Sequence, residues 1–454
     1  VKVPETTAAS DTVSLQFNPF AWTEPMPMWP IGNNEWMYIL YNPMDLLGDI
    51  QYRYCRNDQC GVADDSATPG NAASGTTFKA SSQPQTFTDT VSSWYLTNIT
   101  TGPTVVGSDE VLQRNENFIA GVELTDIYNP SWQPYLANGY QNIKDIGANW
   151  IILRPSSSVI SVNPPVMAAV PGKNPQWADL LQQVNWAAQK GLTIAVYPTF
   201  GMDMADTWIS APRDADWWAR WFEQYTAALV ESADLAALSN SGMLIIGGPE
   251  ISPALPNGIL SDGSPANVPA NVTVYWEKLI STIRSHYSGQ IYWAVGSDQL
   301  EALPDFVEDL DGLYLLTSFP LTMDGVTHTE TIRGTFDAFL AGTVFPVFDQ
   351  YQKPIVLALA YGAFNGAASG CISEEKCFPV DYSEAIATPT NELLQNQAVI
   401  YDTILASINQ VDWVAGVVAR GYYTPAALQD QSVNIHGKPA ADVLWHWYTG
   451  FLTQ

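Results

Sequence analysis

Glu250 closes the stretch SGMLIIGGPEISP (residues 241–253) and is the side chain best placed to do chemistry. A carboxyl group can protonate a leaving oxygen, or take a proton from water, when its surroundings tune it to do so. Here the apolar run Met243-Leu244-Ile245-Ile246 stops at Gly247 and Gly248 just before the glutamate. A buried parallel strand reads this way, as continuous apolar residues and then a break where the backbone turns into a loop. If that strand belongs to a barrel of alternating strands and helices, Glu250 lies at the carboxyl-terminal rim, where such folds keep their chemistry. The plainer reading is a rim carboxylate bound to a neighbouring arginine or backbone amide. Polar endings after the other predicted strands favour the functional reading: Glu123 and Asp126, Arg154, Asp203, Asp298, Ser318 with Asp324, Tyr361 with Asn365, and Arg420 with Tyr422 and Tyr423. Carboxylates, arginines and aromatics converging at one barrel end are what polyol recognition and acid/base chemistry require. A metal site built from Asp203, Glu250 and Asp298 would be a hard-cation oxygen site, and without histidine support it ranks lower. No Gly-x-Ser-x-Gly occurs, so no nucleophilic serine is indicated.

The elements that must position these residues begin near Val105, where helical and strand patterns start to alternate. The predicted strands are Phe118–Leu124, Asn149–Arg154, Thr193–Pro198, the run before Glu250, Gln290–Val295, Asp311–Leu316, Pro354–Leu359 and Val411–Val418. Helical patterns separate them, including Trp177–Lys190, Asp214–Leu238, Val274–Tyr287, Thr331–Leu340 and Asn391–Ile408, with Ala440–Trp447 as the last. Trp217, Trp221 and Tyr225 recur at a spacing of four, which makes one buried helix face rather than a sugar platform. Eight such units predict a (β/α)8 TIM barrel with extended loops over 105–454. A doubly wound sheet is the rival, but no Gly-x-Gly-x-x-Gly follows the first strand. Residues 1–104 instead alternate as short strands between polar turns, which predicts a small all-β sandwich that serves as a spacer or packing module.

Composition narrows the partners. The chain has 454 residues with 46 acidic against 18 basic, a formal net charge of -28. That balance repels phosphate backbones and anionic lipid, so nucleic acid and membrane surfaces are excluded and neutral molecules or cations favoured. Seventeen Trp and 21 Tyr supply rings that stack on sugar faces, although a large core also uses them. The four cysteines fall in two close pairs, Cys55/Cys60 and Cys371/Cys377, and four scattered histidines complete no zinc motif. Two local disulfides fit better, which implies an extracytoplasmic compartment. No apolar run approaches the ~20 residues of a membrane span. The chain therefore reads as a mature secreted or cell-surface protein whose targeting segment has been removed or lies outside this sequence.

Three stretches carry a resemblance. GGPEI (247–251) stands where a Gly-Asn-Glu-Leu-like segment ends a fourth strand. LDGLYLLTSFPLT (310–322) is similar to an Asp-x-Ile-Gly-Ile-x-x-Tyr-x-Pro-Leu pattern at a sixth strand. DQSVNIHGKPA (430–440), followed by VLWHWY (443–448), looks like a closing Gly-Lys-Pro-Ala segment and last helix. In this order they resemble the retaining glycoside hydrolases on (β/α)8 barrels, especially the β-mannanase-like family 113, from about Phe118 to Phe451. The resemblance implies hydrolysis of a β-linked glycan without cofactor or metal, with Glu250 as the acid/base. One departure matters. The family's seventh strand, Lys-Pro-Ile-x-x-Thr-Glu-x-Gly, carries the nucleophilic Glu, and here KPIVLALAYG (353–362) puts Leu359 in that place. Pro249 also stands where the family has Asn beside the acid/base.

Retention needs two carboxyls ~5–5.5 Å apart, and leucine can neither attack nor protonate. Three readings follow. In one, Glu250 is the general acid and another rim carboxylate, Asp298 first, then Asp203 or Glu123, activates water. In another, Glu374 or Glu375, held between Cys371 and Cys377, folds over the rim. In the last, the barrel is inactive and serves as a carbohydrate-binding or structural surface-layer or filament subunit, with self-assembly as a consequence. The reading carried forward is a secreted hydrolase acting on a neutral β-linked poly- or oligosaccharide. Its expected catalytic residues are Glu250 and Asp298, and its expected sugar-binding residues are Glu123, Arg154, Asp203, Tyr361, Arg420 and Tyr422.

Overall fold

In a computed structural model, eight parallel strands close into a barrel in simple sequential order. They are, from first to eighth, Ile119–Leu124, Trp150–Leu153, Thr193–Val196, Met243–Gly247, Gln290–Gly296, Gly312–Thr317, Ile355–Leu359 and Val414–Tyr422. The structure describes the chain except for residues 42–47, 71–74, 98–101, 103–109, 202–204, 371–388 and 453–454. The expected module boundary at 104/105 falls outside the described residues.

The strands are apolar on both faces because each separates two cores. Ile119, Ile152, Ala195, Ile245, Ala294, Val356, Ala358 and Val418 fill the barrel interior. Their neighbours in sequence, such as Leu153, Leu244, Leu357 and Leu359, face the helices. That outer layer takes up most of the tryptophan: Trp218, Trp221, Trp276, Trp293 and Trp447 are fully buried. Trp221 stacks on Tyr225 at 4.8 Å, as their spacing of four predicts. Asp214 caps the long helix Ala215–Leu238 by accepting from the Trp217 amide, which satisfies an N–H left open at the helix start.

Two parts of the barrel differ from the sequence expectation. The eighth strand spans Val414–Tyr422 rather than Val411–Val418: it starts later, and it runs on past Val418, so Arg420 and Tyr422 lie within it and not beyond it. The late start is due to Trp413, whose ring packs outward against Phe345 and Phe348 and keeps the preceding residues in the turn after helix Asn391–Asn409. An additional small sheet, Ser156–Val162, Pro165–Ala168 and Thr199–Phe200, extends the second and third loops, and its short pieces gave no separate signal.

Before the barrel lies a small antiparallel module. Strands Val13–Asn18, Met26–Pro27, Asp49–Arg56 and Thr76–Lys79 form one sheet, and Trp29–Gly32 pairs with Glu35–Met37 in a hairpin. Val13, Leu15, Met28, Tyr52, Tyr54 and Trp94, with Trp36 against them, give sheet and hairpin a common core. Cys55 and Cys60 form a disulfide that closes the loop between them. That loop grips the barrel. The Arg56 guanidinium pairs with Asp11 at 3.1 Å and donates to the Ala427 carbonyl at 3.0 Å. Asn57 Nδ2 donates to the Pro425 carbonyl at 2.8 Å, and the Tyr423 hydroxyl donates to Gln59. The partners Tyr423, Pro425 and Ala427 all belong to the segment that leaves the eighth strand. The second cysteine pair, Cys371 and Cys377, lies outside the described residues, as do Glu374 and Glu375. Among the described residues no helix is long and apolar enough to cross a membrane.

Candidate active site

Four strands bring one half of the site together. Glu123, near the end of the first strand, is buried. Arg154, directly after the second strand, donates from Nη1 to Glu123 Oε1 at 2.9 Å. Arg420, in the eighth, places Nε at 3.4 Å from Oε1 and 3.3 Å from Oε2 of the same carboxylate. From the sixth strand, the Tyr314 hydroxyl donates to Oε2 at 2.5 Å. Burial opposes the charge on Arg154, but Glu123, Tyr197 and Asp126 more than offset it, so its pKa rises. Burial and then the Glu123 charge push the Tyr314 phenol well above its ordinary value, so it remains a donor. The buried carboxylate is thus held by two guanidiniums and a phenol through charge-assisted hydrogen bonds.

The other half lies over the third and fourth strands. Gly247 and Gly248 have φ of 89° and 123°, a region that side chains disfavour, and they turn the chain off the fourth strand. A short 3-10 helix, Pro249–Ala254, then presents Glu250 in its first turn. Glu250 is half-buried. Its carbonyl accepts from Trp208 Nε1 at 2.9 Å, which fixes the backbone. A Cβ built on Gly248 would fall 2.5 Å from Glu250 Oε2 and 2.8 Å from the Tyr197 hydroxyl. The missing side chain therefore leaves room for carboxyl and phenol to share one spot. From the long helix, Tyr225 approaches the same carboxyl, and burial followed by the Glu250 charge raises its pKa well above the ordinary value. Tyr197 connects the two halves, because the Arg154 guanidinium lies 4.0 Å over its ring.

The remaining expected site residues are dispersed. Asp298, two residues beyond the fifth strand, is exposed. Asp203 lies outside the described residues. Tyr361 is buried, with its hydroxyl donating to the Phe319 carbonyl at 3.0 Å. Tyr422 is also buried, stacked on the His436 ring at 4.8 Å. Leu359 faces the helix layer, while Val356 and Ala358 face the interior, so the inward side of the seventh strand carries no carboxyl. Sequence reasoning missed Tyr197, Tyr314, Tyr225 and Trp208. The three tyrosines fall on predicted strands or a buried helix face and Trp208 on no predicted element, and only the tertiary fold shows that their polar tips come to the two glutamates. A recess lined by Asp126, Tyr128, Gln133, Arg154 and Gln183 opens beside the Glu123 cluster. Among the described residues, no three His, Cys, Asp or Glu side chains gather so as to hold a metal ion.

A closed (β/α)8 barrel with carboxylates, guanidiniums and phenols at the carboxyl-terminal mouth defines the class of the protein: a barrel built like those of the glycoside hydrolases. Its family profile is specific. Residues 131–438 match Glycoside Hydrolase Family 113, and the chain belongs to that family. The fold is shared with a GH113 β-1,4-mannanase at 17% identity and a TM-score of 0.55, over 73% of this chain and 99% of that one. It is also shared with the GH113 β-mannanase AaManA of Alicyclobacillus acidocaldarius at 17% identity and a TM-score of 0.54, over 73% of this chain and 97% of that one. No curated protein matches the chain.

Proposed function

We propose that this protein is an extracellular glycoside hydrolase that cleaves a neutral β-linked polysaccharide at the carboxyl-terminal mouth of the barrel. Glu250 is the general acid that protonates the leaving oxygen. The observation that carries this reading is the placement of Glu250. The glutamate that the resemblance assigns as acid/base is set half-buried by a paired-glycine turn, between Tyr197 and Tyr225, so it is both partly desolvated and reachable.

With no carboxyl on the inward side of the seventh strand, the second group comes from elsewhere on the rim. Asp298 follows the strand next to that of Glu250 and is exposed, so it can hold a water. Glu123 is the weaker candidate, because two guanidiniums already take up its charge. A base acting through water gives inversion at the anomeric carbon: the water oxygen bonds to that carbon, its proton passes to Asp298, and the departing oxygen takes the proton of Glu250. Arg154 and Arg420 are buried against Glu123 and act through it rather than on sugar hydroxyls, and the solved relatives named as β-1,4-mannanases make mannan the first substrate to test. The disulfide at Cys55–Cys60 supports the extracellular placement.

The test is release of reducing ends from mannan, glucomannan and other neutral β-linked glycans, with the first-formed anomer read by proton NMR. Inverted product that disappears in Asp298→Asn supports the reading. Retained product removes Asp298 as the base. No release from any of them favours the second reading, an inactive barrel that binds glycan or builds a surface layer or filament, for which the apolar inward side of the seventh strand already speaks.

A further inference from the structure

Most tryptophans of the barrel go into its core, whereas the N-terminal module exposes Phe20, Trp29, Tyr41 and Phe87. Between its sheet and its hairpin runs a groove of about 830 Å³. Ligand pockets commonly run to roughly 300–1,000 Å³. One wall is aromatic, formed by Phe17, Trp36, Tyr38, Tyr52, Phe78 and Phe87. The polar run 81–86, SSQPQT, which joins Phe78 to Phe87, also lines the groove and presents hydroxyls and amides. The rings are held in place. Tyr52 and Tyr54 both donate to Asp89 Oδ2, at 2.7 and 2.8 Å, and Phe78 packs on Phe87 at 4.9 Å. The polar run is fixed as well: Ser81 Oγ accepts from the Gln83 amide at 3.1 Å, and Gln85 Nε2 donates to the Lys79 carbonyl at 3.1 Å.

We infer that this groove is a second glycan site, which takes a neutral pyranose chain and keeps the barrel close to its polymer. Charge selects the ligand. None of the described lining residues has an acidic or basic side chain, although the chain as a whole carries a net charge of -28. A cation would find no counter-charge there, and an anionic polymer would be repelled by the rest of the molecule. The pairing of surfaces selects it further. A pyranose presents a flat face of C–H groups and an edge of hydroxyls, and the groove is lined by aromatic rings together with Ser, Gln and Thr. Preset rings bind at low entropic cost, because little side-chain freedom remains to be lost. None of the groove residues is among those that meet the barrel, which include Arg56, Asn57, Gln59 and the apolar Val62, Ala63 and Leu96. The site can therefore be altered without undocking the module. The class of ligand follows from the groove alone; the choice of mannan as first probe rests on the hydrolase reading above.

The experiment uses the full chain and measures retention on insoluble mannan and affinity for soluble glucomannan, alongside hydrolysis of a short soluble manno-oligosaccharide. The double substitution Tyr38→Ala with Phe87→Ala should weaken retention at least tenfold and leave oligosaccharide turnover unchanged. Phe87→Ser alone, at an exposed position, should give a smaller loss in the same direction and guards against misfolding of the double variant. Phe20→Ala, at an exposed ring in the same module but outside the groove, should change nothing. Retention that survives both groove variants overturns the proposal, as does self-association in sedimentation that the variants abolish, since a second copy would then be the occupant. If retention depends on the groove but no glycan is hydrolysed, the groove stands and the hydrolase reading falls. If oligosaccharide is hydrolysed while no neutral polymer is retained, the groove falls and the hydrolase reading stands.

Discussion

Glu123 and Glu250 share the mouth of one barrel in opposite surroundings. Glu123 is buried and bound by Arg154, Arg420 and Tyr314, contributed by three other strands. Glu250 is half-buried on a short helix behind two glycines, with phenols rather than guanidiniums for company. The first arrangement ties distant strands together and fixes a charge. The second leaves a carboxyl partly open to solvent. Position at the rim is therefore not enough to assign a role, and the charge of the neighbours decides between support and chemistry.

Converting each glutamate to glutamine breaks the comparison most severely. Glu250→Gln should lower the rate of polysaccharide hydrolysis by about 10²–10⁴-fold, the usual contribution of a general acid, and leave thermal unfolding nearly unchanged. Reducing-end assays and a melting curve on the same preparation check both halves of that expectation. Glu123→Gln should instead destabilise the fold by about 3–5 kcal/mol, because it leaves two buried guanidiniums without their counter-charge. Urea unfolding followed by tryptophan fluorescence reads this directly. Equal stability losses in the two variants would erase the distinction.

The supporting half also depends on the segment that leaves the strand carrying Arg420. His436 lies buried there, stacked on Tyr422, with Nδ1 against the Tyr423 carbonyl at 2.9 Å. Burial lowers its pKa from 6.5 to about 4. Between those values the unfolded chain takes up a proton that the folded chain refuses. The stabilisation from neutral His436 is complete above about pH 6.5 and is lost as pH falls through about 4, on the order of 3 kcal/mol in all. His436→Gln should flatten the stability curve across that window, as measured by denaturant titration at several pH values. A smaller effect is expected from the Cys55–Cys60 clasp. Opening so short a loop costs about 2 kcal/mol in the chain-entropy account. Cys55→Ser with Cys60→Ser should lower the melting of the module and increase amide exchange over Tyr423–Ala427 more than around Glu250.

Much of the architecture was legible because parallel strands buried on both sides are short apolar runs ended by turns. Met243–Gly247 and Ile355–Leu359 read this way, and each stands in the barrel as expected. The start of the eighth strand was displaced because Trp413 looks like a strand residue but packs outward on Phe345 and Phe348. Glu123, Arg154 and Arg420 were picked out as converging on one mouth, and the structure brings them together. What the sequence could not reveal was that they neutralise one another, since that depends on side chains from strands nearly 300 residues apart reaching the same height. Tyr361 and Tyr422 show the same limit from the other side. Both follow or end a barrel strand, yet their rings are buried and their partners, the Phe319 carbonyl and the His436 ring, come from distant loops. Tyr314 escaped notice because alternation along a strand tells which face a residue occupies and not how far its hydroxyl extends.

The most direct measurement compares two substrates in Glu250→Gln: a β-linked polysaccharide, whose leaving sugar needs a proton, and a dinitrophenyl β-glycoside, whose leaving group departs without one. If Glu250 is the general acid, polysaccharide turnover collapses while dinitrophenol release stays near the wild-type rate. Parallel loss on both substrates, or no loss on either, would contradict that role.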